Sequence, residues 1–98
     1  MTVWNNCVAD VIYYDEIVAV TNDEGYEVRI DGAEIVVSYK DDEGWVEYRG
    51  KENGAGHFEL SAPEREGRAS LHRFPDGNTL EGYWVERGYR GMWRIVLL

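Results

Sequence analysis

The feature that most constrains this sequence is a set of turn signals that recur about every eight to twelve residues from Asn22 onward. The runs between them alternate apolar and polar side chains with a period of two, which is typical of half-buried β-strands. Short strands joined by short turns predict hairpins, and successive hairpins make an antiparallel meander. The sequence therefore predicts an all-β fold.

The clearest turn is Asp31-Gly32, which predicts a type I′ hairpin between residues 26–30 and 33–40, because aspartate and glycine tolerate positive φ. A four-residue loop over residues 22–25 is predicted to connect strands at 17–21 and 26–30. Residues 41–44 predict the next turn, a simple solvated one.

Further strands are predicted at 45–51, 57–62, 68–74, 79–86 and 89–97. Residues 5–14 are open to two interpretations, since Val8, Val11 and Ile12 fit either a strand or the stripe of a short N-terminal helix. The total is about eight strands in a single domain over residues 1–98.

The alternation predicts which face of each strand is buried, because successive side chains point to opposite sides of a sheet. The inward set is Tyr26, Val28, Ile30, Ala33, Ile35, Val37, Tyr39, Val46, Tyr48, Phe58, Leu60, Ala62, Ala69, Leu71, Leu80, Trp84, Trp93, Ile95 and Leu97. The opposite face is mostly charged. We expect a small closed barrel, which removes exposed edges, with a two-layer β-sandwich as the alternative.

The aromatic content supports this fold, because 13 large rings in 98 residues suit pleated strands and a small interior. Cys7 is the single cysteine, so no intramolecular disulfide forms, which fits a reducing compartment. The first residues lack the pattern of a secretory signal, and we expect a cytoplasmic protein.

The charge is strongly asymmetric. Residues 1–56 carry 13 acidic and four basic side chains, whereas residues 57–98 carry six acidic side chains and six arginines. A net charge of −9 disfavours nucleic acid as a partner, because duplex binding needs a basic surface. No apolar run approaches the length of a membrane span, so no membrane contact is expected.

The densest motif is a pair of glycine-x-tryptophan units, Gly82-Tyr83-Trp84 and Gly91-Met92-Trp93, on the last predicted hairpin. Each glycine leaves room for a large ring over the backbone. Over residues 79–97 the pattern resembles the calycins, the lipocalin and avidin-like barrels. That resemblance implies a small antiparallel barrel that binds a small apolar ligand.

A second resemblance covers residues 74–84. Phe74-Pro75-Asp76-Gly77 followed by Leu80-Glu81-Gly82-Tyr83-Trp84 is similar to one MORN repeat. This resemblance implies a β-hairpin unit of the kind associated with membrane or protein contacts.

The candidate ligand site combines inward aromatic residues with one anomalous charge. Arg73 shares parity with Ala69 and Leu71, so it must reach a carboxylate, a ring face or the barrel mouth. Glu86 shares parity with Trp84 and is the predicted partner of Arg73. The predicted ligand-binding residues are Tyr39, Tyr48, Arg73, Trp84, Glu86 and Trp93.

Catalysis has less support. His57 and His72 are the two histidines, and both fall on the face predicted to be polar. No cluster has the spacing of a metal site, and no cofactor motif is present.

We therefore expect a non-enzymatic module that binds a small apolar or amphipathic ligand, or a protein partner, through its aromatic-rich end. One alternative is a homodimer or larger homo-oligomer, formed through a sheet edge or by docking of the acidic half on the arginine-bearing half. The other is a small barrel enzyme that uses His57 or His72.

Overall fold

Eight strands account for the alternating pattern of the sequence in a computed structural model that describes residues 1–14 and 20–98. The strands are β1 (Thr2–Tyr13), β2 (Val20–Asp31), β3 (Glu34–Asp41), β4 (Gly44–Glu52), β5 (His57–Ala62), β6 (Gly67–His72), β7 (Thr79–Glu86) and β8 (Tyr89–Val96). A single-turn 3-10 helix, Pro63–Arg65, lies between β5 and β6.

Each strand pairs antiparallel with its neighbours in sequence, and β1 also pairs with β8 from Val8↔Val96 to Tyr13↔Gly91. The sheet is thus a closed eight-stranded meander barrel, as predicted, and not a sandwich. Closure gives every described strand two partners, although residues 2–7 of β1 pair with β2 alone.

Of the two interpretations of residues 5–14, the strand is confirmed and the short N-terminal helix is wrong, because Thr2–Tyr13 is a strand. Its inward side chains Cys7, Ala9 and Val11 are buried in the core. The predicted inward set does not include these three residues. Pairing with two flanking strands decides the conformation of a segment whose local pattern fits both.

The predicted loop over residues 22–25 is also wrong, since β2 runs through it. The register shifts by one residue on each side of Cys7↔Tyr26, and Gly25 takes a φ of +79°. Glycine here permits a β-bulge inside the strand. Of the strand predicted at residues 17–21, residues 17–19 lie outside the described part of the chain.

The hairpin at Asp31-Gly32 is confirmed, with its turn one residue further on. Asp31 pairs with Glu34, and Gly32 has a φ of +62° as the first central residue. Positive φ at that first position alone is the pattern of a type II′ turn, not the expected type I′. Ala33 is consequently an exposed turn residue instead of an inward one.

The core follows the predicted parity along most strands. Buried side chains include Val28, Val37, Leu60, Leu71 and Ile95, all on the inward face. Ser38, expected on the outer face, is buried as well. The buried side chains of the inward face form one continuous core inside the barrel.

Candidate functional site

The two ends of the barrel differ in chemistry. The turns at residues 42–43, 63–66 and 87–88 lie at one end, which we call the mouth. The turns at 32–33, 53–56 and 73–78 lie at the other end, which we call the far end. The mouth opens into a cavity of about 570 Å³, the mouth pocket.

Aromatic side chains from six strands wall the mouth pocket: Tyr13, Tyr26, Tyr39, Tyr48, Trp84 and Trp93. Five of the six residues predicted from the sequence as a ligand site therefore lie in one pocket: Tyr39, Tyr48, Trp84, Glu86 and Trp93. Tyr13 and Tyr26 join them because the strands that carry them flank the same interior.

Three tyrosines form a row. The rings of Tyr26 and Tyr39 stack with centroids 5.1 Å apart, and those of Tyr39 and Tyr48 stack at 6.4 Å. Trp93 meets all three edge to face, at 5.9, 6.1 and 5.3 Å. These are favourable arrangements for ring quadrupoles, so the row and the indole hold one another in place.

Trp84 occupies the neighbouring wall. Its ring packs edge to face on Tyr13 at 5.0 Å, and its Nε1 donates a 3.1 Å hydrogen bond to the carbonyl of Met92. Gly91 is paired with Trp84 across the hairpin, and a side chain there would overlap the backbone carbonyl of Ile12 and also crowd the indole. The prediction that each glycine leaves room for a ring is therefore met only in part, because a side chain at Gly82 would overlap the backbone of Ser70 and Leu71 and no ring.

Glu86 is the charged centre of the pocket. Its Oε1 accepts hydrogen bonds from the hydroxyls of Tyr39, at 2.9 Å, and Tyr48, at 2.5 Å. Burial raises the pKa of both phenols well above the ordinary value, and the Glu86 carboxylate raises them further. Both hydroxyls therefore stay protonated, and both remain donors to Glu86 Oε1.

Gly67 is a functional position that the sequence pattern did not reveal. It pairs with Glu86 across β6 and β7, and a methyl group at Gly67 would overlap the hydroxyl and ring of Tyr48. The missing side chain leaves the space in which Tyr48 reaches Glu86. A glycine at the start of a strand, read alone, signals only a turn.

Trp93 carries an unsatisfied donor. Burial and the charge of Asp23 raise the pKa of Tyr26, and the nearby indole N–H of Trp93 acts in the opposite direction. The contact lacks hydrogen-bond geometry, however. Among the described residues, Trp93 Nε1 is the one buried side-chain polar atom without a partner.

Ion pairs frame the mouth. The buried guanidinium of Arg65 binds both carboxylate oxygens of Asp41 and also contacts Glu43, which Arg87 reaches at 3.2 Å. This bonding holds the pKa of Asp41 below its usual range. The turn at residues 41–44 is therefore an anchored part of the rim, and the prediction of a simple solvated turn is wrong. Its partner Arg65 lies in another turn at the same end of the barrel.

Arg73 lies at the far end. Its Nε donates a 2.8 Å hydrogen bond to the carbonyl of Gly77, and its guanidinium lies 5.1 Å from the ring centre of Trp4. The predicted pairing with Glu86 is wrong, because Gly67, not Arg73, is level with Glu86. The expectation that Arg73 reaches a ring face is met through Trp4.

The two histidines pair with each other on the outer wall. His57 Nδ1 and His72 Nδ1 are 3.0 Å apart, and Glu59 lies 3.5 Å from His57 Nε2. The pair sits near the far end, away from the mouth pocket. Within residues 1–14 and 20–98, no three metal-ligating side chains come together.

The outer wall also carries an exposed apolar row. Ile12 pairs with Met92, and Met92 pairs with Tyr83, so three exposed side chains stand side by side on β1, β8 and β7. The polar outer face expected from parity is interrupted here.

No protein-family model matches the chain, and no curated protein matches its sequence. The described part of the chain contains no helix that is long and apolar enough to cross a membrane.

Proposed function

We propose that this protein is a non-enzymatic, calycin-like binding module that holds a small, partly apolar ligand in the mouth pocket. The observation that carries the proposal is a cavity of about 570 Å³ with aromatic walls and one oriented carboxylate, Glu86. Ligand pockets are mostly apolar, with a few placed polar groups, and have volumes of about 300–1,000 Å³.

The position of the pocket supports the same proposal. It opens at one end of a closed barrel, where calycins take up their ligands, and the Arg65–Asp41 ion pair holds its rim. The tyrosine row and Trp93 pre-organise the walls. A pre-formed site costs less ordering entropy on binding.

The tryptophans allow a direct test. Trp84 and Trp93 line the pocket, whereas Trp45 is exposed on the outer wall and Trp4 lies at the far end. A Trp4→Phe/Trp45→Phe variant leaves the two pocket indoles as the fluorescent reporters. Titration with a library of small aromatic and amphipathic compounds should give saturable changes.

Binding of each hit should then weaken in Trp84→Ala and Tyr39→Phe, with Trp45→Ala as the matched control that keeps affinity. Circular dichroism checks that each variant is folded. Equal affinity in all three folded variants would place the ligand elsewhere and overturn the proposal.

Self-association is a second candidate function, favoured by the exposed Ile12, Met92 and Tyr83 row. A second copy is the occupant to consider, because the acidic half of one chain complements the arginines of the other. Edge pairing has less support in a closed barrel, where most of each strand is paired on both sides. Light scattering should detect a salt-sensitive dimer that Met92→Lys dissociates; a monomer at every concentration would reject this candidate.

The enzyme alternative has less support. His57 and His72 contact each other on the outer wall, and His72 borders a separate cavity at the far end, so neither reaches a ligand in the mouth pocket. A general acid or base has to reach the substrate proton directly or through one water.

A further inference from the structure

The charged groups around the mouth pocket are predominantly acidic. Asp23, Glu24, Asp41 and Glu86 line it, with Lys40 as the basic residue among the described lining. Asp41 is neutralised by its two-point contact with Arg65. The remaining three carboxylates outnumber the one ammonium group, so the pocket has a negative field that attracts cations.

Glu86 is the carboxylate best placed to meet a ligand. Two tyrosine hydroxyls hold its Oε1, which fixes the orientation of the carboxylate. Among the described residues, Oε2 makes no hydrogen bond and no ion pair. One oxygen is thus held by the protein, and the other is open to a bound cation, which it attracts by charge.

The walls around Glu86 are aromatic. Tyr39 and Tyr48 contact the carboxylate through their hydroxyls, and Trp93 packs on both rings. Ring faces attract organic ammonium groups through their quadrupoles, and the attraction grows when water is excluded.

An inorganic cation fits this site poorly. Calcium takes six to eight oxygen ligands, and transition metals need several imidazole, thiolate or carboxylate donors. No group of three such side chains occurs in the described part of the chain. A single carboxylate surrounded by aromatic rings suits an organic cation, in which a charged group is attached to an apolar part.

We propose that the ligand of the mouth pocket is a small organic cation, with its ammonium group against Glu86 Oε2 and its apolar part against the tyrosine and tryptophan rings. This inference rests on the proposed binding function. It also reverses the ligand polarity that an inward Arg73 would imply, because Arg73 lies at the far end and the mouth carries carboxylates.

Three soluble probes with the same phenyl ring separate charge from apolar contact: benzyltrimethylammonium, benzyl alcohol and phenylacetate. Isothermal titration calorimetry on the full chain should give an affinity for the cation about ten times that for the alcohol, and weaker binding still for the anion. Raising the salt concentration should weaken binding of the cation and leave the alcohol unchanged.

Glu86→Gln tests the contact itself, since glutamine keeps an oxygen that can accept from the tyrosines. The variant should lose about tenfold in affinity for the cation and none for benzyl alcohol. Glu59→Gln, on the outer wall, is the matched control and should change neither affinity. Glu24→Gln at the rim is a second variant, in case Glu86→Gln fails to fold.

The outcomes are distinct. Cation and alcohol binding with equal affinity, or a preference for phenylacetate, would overturn the organic-cation inference and leave the binding function standing. Failure of all three probes and of every library compound to bind would overturn both. Retention of full cation affinity in folded Glu86→Gln, or in Glu24→Gln where Glu86→Gln does not fold, would also overturn the inference.

Discussion

The hydroxyl of Tyr48 on β4 donates a 2.5 Å hydrogen bond to Glu86 on β7, across the mouth of the barrel. The two residues are 38 positions apart in the sequence. Tyr39 donates to the same oxygen. This three-residue contact links two walls of the mouth pocket and orients its charge, so it is the centre of the functional account.

Tyr48→Phe should destabilise the fold by about 1 to 3 kcal/mol, because it removes a donor to a charged group and leaves the ring in place. Urea unfolding measures the change. Tyr83→Phe is the matched control, since Tyr83 is exposed on the outer wall, and it should have almost no effect. Equal stability of the two variants would show that the Tyr48–Glu86 hydrogen bond contributes nothing.

Gly67→Ala should disturb the same contact from behind, because the added methyl overlaps Tyr48. We expect a clear loss of stability and weaker ligand binding. A double-mutant cycle with Tyr48→Phe, which removes the atom nearest the added methyl, identifies the cause. The double variant should lose less stability than the sum of the losses in the two single variants. Full additivity would show that Gly67 acts independently of Tyr48.

The two pocket tryptophans should respond differently to phenylalanine. Both are buried, but Trp84 Nε1 donates to Met92 while Trp93 Nε1 has no partner among the described residues. Trp84→Phe loses a hydrogen bond, whereas Trp93→Phe removes an unsatisfied donor. The first should cost about 1 kcal/mol more than the second in chemical denaturation. The reverse order would mean that Trp93 Nε1 is bonded in solution.

Stability should fall in alkaline solution. The pKa values of Tyr26, Tyr39 and Tyr48 are raised in the folded state, chiefly by burial, so above about pH 10 the unfolded chain releases protons that the folded chain retains. Their contribution is complete below that pH and is lost as the pH rises. Each tyrosine adds a slope of about 1.4 kcal/mol per pH unit.

Tyrosinate absorbance checks this expectation. The phenols of Tyr26, Tyr39 and Tyr48 should ionise together as the protein unfolds. Ionisation of all the tyrosines near the ordinary value, in a protein that stays folded, would contradict the burial of the tyrosine row.

Most of the fold follows from the sequence because alternation and turn chemistry are local signals. β5 and β7 have their predicted bounds, and Tyr39, Tyr48, Trp84 and Trp93 lie on the inward face as parity requires. The misreading of residues 22–25 has a physical cause. Turn-forming residues there make a bulge within a strand, and only pairing with β1 distinguishes the two.

The height of a residue along the barrel axis was harder to predict, because parity gives the face and not the level. Arg73 and Glu86 share the inward face, yet the register of β6 with β7 sets Gly67 opposite Glu86 and His72 opposite Glu81. Arg73 follows His72 and belongs to the far end. The Arg65–Asp41 contact was missed for a similar reason, since only the assembled meander brings those two turns together.

The most direct test of the account is the behaviour of the four indole N–H resonances in a proton–nitrogen NMR titration with benzyltrimethylammonium and with compounds from the library. Trp84 and Trp93 line the mouth pocket, while Trp4 and Trp45 lie outside it. A ligand in the pocket should shift the first two signals with one common saturation curve and leave the other two in place. Shifts confined to Trp4 or Trp45, or no shift with any compound, would contradict a ligand site at the mouth.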